Sequence, residues 1–119
     1  MTTDELKQLC SSLPGAQGVP YGPPSNILVH EVGGKTFAYF KTSMPEQWRF
    51  SVRVSAGRFV ELTDMPGVKP ARYMGRFHWV TIVDVARFPG DYLTLLVQDS
   101  YARAVASLTR AQRAALEKS

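Results

Sequence analysis

Between Trp48 and Val54 the chain alternates apolar and polar residues without a break: Trp48, Phe50, Val52 and Val54 against Arg49, Ser51 and Arg53. Successive side chains of an extended strand point to opposite faces. This stretch therefore puts large apolar groups on one side of a sheet and arginines on the other. Such a strand belongs to a sheet with one face buried and one face open to water. The apolar side must be covered, and the segments able to cover it lie towards the two ends of the chain. The expectation is that Trp48, Phe50, Val52 and Val54 face helices, with Arg49 and Arg53 exposed.

Those segments carry clear signals. Thr2 and Glu5 have capping-box spacing, and Leu6, Leu9, Cys10 and Leu13 then recur at helical intervals until Pro14-Gly15 stops the helix. A long helix is expected from Pro89 to Leu108, with Leu93, Leu96, Val97, Tyr101, Ala104, Val105 and Leu108 on its apolar face. Thr109 and Gln112 repeat the capping spacing before a short last helix. Between the ends, Gly18 to Pro24 reads as a turn-rich connector with three prolines and two glycines. Ile27–Val32 and Lys35–Phe40 read as a hairpin turning at Gly33-Gly34. Ser55 caps a short helix carrying Phe59, Val60 and Leu62, which ends at Pro66-Gly67. Ala71–Met74 and His78–Val83 read as two more strands around Gly75. Strands do not alternate with long helices, so the class is α+β: an antiparallel sheet with helices packed on one face. Residues 1–119 form a single domain in this reading.

The chain has 119 residues, 45% of them hydrophobic, enough to bury a core without disulfides or a structural metal. Its one cysteine, Cys10, excludes an internal disulfide and a thiolate zinc site. Met1 to Leu6 lacks a secretory signature, and no apolar run reaches the roughly 18 residues of a membrane span. The expectation is a cytoplasmic protein with no membrane partner.

Chemistry is poorly represented. Cys10 falls on the apolar stripe of the first helix, where a thiol is buried and unreactive. The only histidines are His30 and His78, and neither sits at metal-ligand spacing with carboxylates. No phosphate-cradling glycine motif is present. The reading is no catalytic residue, no metal, no cofactor and no enzyme.

Charge is more informative. The net charge is +4, and residues 35–87 hold nine basic and four acidic side chains, a local +5. A basic centre attracts polyanions. Lys35, Lys41, Arg49, Arg53, Arg72 and Arg76 are the candidate nucleic-acid contacts, because arginine matches phosphate geometry and a two-stranded ribbon can enter the major groove. The alternative is a protein-interaction or small-ligand cleft near Tyr73, His78, Trp79 and Tyr101.

Several blocks resemble the MmcQ/YjbR-like family of bacterial proteins. They are Leu9-Cys10-Ser11-Ser12-Leu13-Pro14-Gly15-Ala16, Gly33-Gly34-Lys35-Thr36-Phe37-Ala38, Gly67-Val68-Lys69-Pro70-Ala71 with His78-Trp79, and Asp99-Ser100-Tyr101 with Val105 and Leu108. The resemblance implies a CyaY- or frataxin-like sheet crossed by helices, a double-wing arrangement, and DNA binding; contact through phosphates on the basic sheet face makes the expected binding weak, with little sequence preference. Gly75, Phe77 and Val80 depart from the family's more polar pattern in that region. The acidic ridge by which frataxin-like proteins bind iron is not matched by Asp4 and Glu5 alone, so iron is not carried over.

Overall fold

The computed structural model describes residues 1–72 and 75–117, the side chains of Arg76 and Glu117 aside. Helix α1 (Thr3–Ser12) begins at the expected capping box. Glu5 N–H donates to Thr2 Oγ1 at 3.1 Å, and Thr2 N–H donates to Glu5 Oε1 at 3.0 Å. Two N–H groups that a helix start leaves unpaired are thereby satisfied. The Thr2 N–H donated to the carboxylate, together with the Thr2 hydroxyl beside it, holds the Glu5 carboxyl below its usual pKa.

Strands β1 (Ala16–Tyr21), β2 (Ile27–Val32), β3 (Lys35–Lys41), β4 (Phe50–Arg53), β5 (Val68–Pro70) and β6 (Trp79–Ile82) form one antiparallel sheet in the order β1-β2-β3-β4-β6-β5. The β2–β3 turn uses Gly33 and Gly34 at φ 57° and 81°, the left-handed region that a tight hairpin needs. At Gly33 a Cβ would also come within 2.7 Å of Leu108 Cδ2, so glycine lets the chain pass under that leucine.

Four sequence expectations need correction. Gly18 to Pro24 is not wholly a connector, because Ala16–Tyr21 pairs with β2 as an edge strand. Proline is tolerated at an edge, where its missing N–H leaves no ladder bond broken. Trp48 does not face the helices; it lies ahead of β4 and is 54% exposed. The alternation runs on past the start of the ladder, and the turn containing Trp48 frees its side chain from the strand's facing rule. The strand expected over Ala71–Met74 instead runs Val68–Pro70, with Pro70 again on an edge; Tyr73 and Met74 lie outside the described residues. His78 has φ 65°, so β6 begins one residue later than expected.

Two cross-sheet rows face the helices. Pro20, Leu28, Phe40, Phe50, Ile82 and Val68 are successive neighbours across all six strands, as are Gly18, His30, Ala38, Val52, Val80 and Pro70. Helices α1, α2 (Ala56–Thr63) and α3 (Gly90–Ala106) contribute Leu6, Cys10, Leu62, Leu93, Leu96, Val97 and Ala104 to the cluster on this side. Burying each large side chain contributes roughly 1.5–3 kcal/mol. α4 (Arg110–Glu117) starts from the second capping box, Thr109 with Gln112. Its Leu116 packs so close to Gly15 that a Cβ there would have to displace the leucine's end.

A register shift places the extra residue Phe37 opposite the His30/Glu31 step of β2. Phe37 and Ala38 are consequently both fully buried, as a bulge allows. α3 is fastened at this point. Ser100 donates its hydroxyl to the Phe37 carbonyl at 2.6 Å, and the Tyr101 ring meets the Phe37 ring edge-on at 5.4 Å. Among the described residues, no helix is long and apolar enough to cross a membrane.

Candidate nucleic-acid interface

The opposite face of the sheet has its own order. Val19, Val29, Tyr39, Ser51, Thr81 and Lys69 form one row across all six strands, and Arg53 pairs with Trp79 beside it. β3 and β6 flank β4, so their backbones lie about 9.5 Å apart. The rings of Tyr39 and Trp79 nevertheless approach to 5.5 Å between centroids. They lean towards each other over β4, where Ser51 is small enough to sit beneath them. Ser51 and Thr81 are buried and share a 2.8 Å hydrogen bond. Trp79 is only 5% exposed, so its ring is not offered to a stacking base.

The cations placed on this face by register are Lys41, Arg53 and Lys69, against one acid, Glu31. Lys69 belongs to the basic centre of the sequence, but nothing in its spacing marks it as a contact. Its pairing with Thr81 on an edge strand is what puts it here.

The six predicted basic residues do not form one patch. β3 and β4 are antiparallel, so Lys35 and Arg53 lie at one end of the pair, and Lys41 and Arg49 at the other. Six residues of strand separate Lys35 from Lys41, about 20 Å. Lys41 Nζ donates to the Ser25 carbonyl at 3.3 Å, and Arg49 is half-buried and ion-paired with Glu46 at 3.2 Å. Arg72 is exposed just beyond β5. Arg76 lies in a short 3-10 turn, Gly75–Phe77, with its side chain outside the description. Because β3 and β4 are interior strands, they cannot enter a groove as a free ribbon.

At the Lys35 end, Lys35, Thr36 and Arg53 meet Ser100, Arg103, Ala104 and Ser107 of α3 and its cap around a cavity of about 90 Å³. Arg103 lies outside the basic centre of the sequence. Only the close packing of α3 on β3 brings it to the two sheet cations.

The predicted aromatic cleft is not assembled by its described members. The His78 ring lies against Phe59 of α2 at 5.6 Å, Trp79 against Tyr39, and Tyr101 against Phe37. Tyr101 also donates its hydroxyl to the Pro14 carbonyl, tying α3 to the end of α1. Its phenol is pushed above the usual pKa by burial. Tyr73 lies outside the described residues.

The remaining chemistry-bearing groups are in the core. Cys10 is fully buried, and burial pushes its thiol up to about 12. His30 is 1% exposed, with Nε2 3.2 Å from Ser11 Oγ and its ring edge-on to Phe40. Burial, and secondarily the charge of Lys7, lower its pKa. Among the described residues, no three His, Cys, Asp or Glu side chains gather where a metal could sit.

The YjbR family profile matches residues 11–103. The chain belongs to the YjbR family. The matched span holds the whole sheet together with Lys35, Thr36, Arg53, Ser100 and Arg103, whereas Ser107 and α4 lie beyond it. A crystal structure of a protein from Pseudomonas syringae is similar in fold to this YjbR chain. Its TM-score is 0.71 at 17% identity, covering 87% of this chain and 99% of that one. No curated protein matches.

Proposed function

We propose that this YjbR protein is a non-enzymatic, cytoplasmic DNA-binding protein whose sheet and helices take the double-wing arrangement of CyaY-like folds. The observation that carries the reading is the sheet face away from the helices, with Lys41, Arg53 and Lys69 facing a single acid, Glu31. Lys41 and Arg53 lie towards opposite ends of the β3–β4 pair, about 13 Å apart by strand rise. That span exceeds the roughly 12 Å width of the major groove, so the face can rest on phosphates either side of it. Phosphate contacts position a protein without reading sequence. The buried Trp79 and the interior position of β3 and β4 go with weak binding and little sequence preference. Titration of duplex DNA at several salt concentrations, with the triple variant Lys41→Ala, Arg53→Ala and Lys69→Ala as comparison, tests the reading. Binding that survives all three replacements undiminished would place the contact elsewhere.

A further inference from the structure

We propose that the cavity between the start of β3, the end of β4 and the last turns of α3 is a seat for one phosphomonoester group. Three cations converge on it from three separate elements: Lys35, Arg53 and Arg103. No acidic side chain lines it. Asp99 engages only Nε of Arg103, at 3.3 Å, and among the described residues Lys35 and Arg53 have no ion-pair partner. Arg103 is at home in the last turn of α3, where a cation complements the helix dipole. The two sheet cations have no such account, and three like charges around one hollow repel one another unless an anion joins them.

The hydroxyls narrow the choice of anion. Ser100 gives its proton to the Phe37 carbonyl and Ser107 gives its own to the Ala104 carbonyl, so neither donates inward. Thr36 Oγ1 makes no such bond among the described residues and completes the donor set. Two guanidinium forks, one ammonium and one hydroxyl suit a doubly charged tetrahedral oxyanion better than a planar, singly charged carboxylate. The cavity, about 90 Å³, is well below the roughly 300 Å³ at which small-molecule pockets begin. Only the phosphate group enters. The group it esterifies lies outside, and the adjoining hollow of about 270 Å³ between α2 and α3 offers it room. Arg103 is the wall shared by both hollows, and Ser55, Arg58, Leu95, Leu96 and Asp99 line the larger one.

The test follows backbone amide resonances of the whole chain at constant ionic strength. Inorganic phosphate, adenosine 5′-monophosphate and adenosine are titrated separately. Phosphate and the monophosphate are expected to saturate, with shifts concentrated at Lys35, Thr36, Arg53 and Arg103, while adenosine causes none. Lys35→Ala with Arg53→Ala should weaken phosphate at least tenfold, with Arg113→Ala, far along α4, leaving it unchanged. A urea midpoint for each variant confirms that it is folded. Two otherwise identical duplexes, one 5′-phosphorylated and one with 5′-hydroxyl ends, separate the sources. A preference for the phosphorylated duplex assigns the seat to nucleic-acid ends, and equal duplex binding beside saturable monophosphate binding assigns it to free phosphomonoesters. Shifts that never saturate, that spread evenly to Lys41 and Lys69, or that persist in the double variant overturn the seat. Failure of both duplexes to bind at low salt removes the DNA reading and leaves the phosphate arm to decide the seat by itself.

Discussion

Ser51 Oγ and Thr81 Oγ1 lie 2.8 Å apart on the sheet face away from the helices, yet both residues are buried. The Tyr39–Trp79 ring pair shelters them, and each hydroxyl is the other's partner. Removing one leaves the other buried and unpaired, at about 1–3 kcal/mol. Ser51→Ala and Thr81→Val are each expected to lose about that much stability. The double variant should lose less than the sum of the two, because it leaves no orphan. Urea denaturation of all four proteins measures the coupling. Strict additivity would mean that the hydroxyls do not depend on each other.

Ser100 closes the bulge in β3 from α3. Ser100→Ala leaves the buried Phe37 carbonyl without its donor and is expected to destabilise by about 1–3 kcal/mol in the same assay. Tyr101→Phe removes only the bond to Pro14 at a less buried site, for about 0.5–1.5 kcal/mol. The reverse ranking would show that α3 is held chiefly through its contact with the end of α1.

Capping boxes, the Gly33-Gly34 hairpin and the apolar set Phe50, Val52 and Val54 are legible because each is a local pattern with a local cause. β1 was hidden because Pro20 and Gly18 read as a turn, and only position at a sheet edge makes them acceptable in a strand. Trp48 continues an alternation that the ladder itself does not. Ser100 looks like a polar interruption of an apolar stripe until the bulge opposite supplies its acceptor. Lys69 and Arg103 join the basic surface through pairing and helix docking, relationships over long sequence distances that no spacing along the chain encodes.

His30 gives a pH dependence of definite sign. Its folded pKa lies below the ordinary 6.5 because burial disfavours the charged ring. The unfolded chain therefore binds the proton more readily, and stability falls as pH drops below about 6.5 towards the folded value. His30→Phe should flatten the urea midpoint between about pH 6.5 and pH 5. A wild-type midpoint that rises on acidification through this window would contradict the assignment.

Cys10 reports on opening. A buried thiol pushed up to about 12 offers almost no thiolate at neutral pH. Labelling of the native protein by a thiol reagent should be slow and should accelerate in step with urea unfolding. Rapid labelling in native buffer would place Cys10 nearer the surface than the fold does.

The DNA reading is tested most directly by the salt dependence of duplex binding. Each phosphate neutralised contributes about −0.9 to the slope of log affinity against log salt. The cations of this sheet face and of its Lys35 end predict a slope of about −3 to −5, alike on unrelated sequences. Replacing Lys41, Arg53 and Lys69 together with alanine should flatten it by roughly 2.7. No detectable binding at low salt, or a slope that the triple replacement leaves unchanged, would contradict the assignment of this face to DNA.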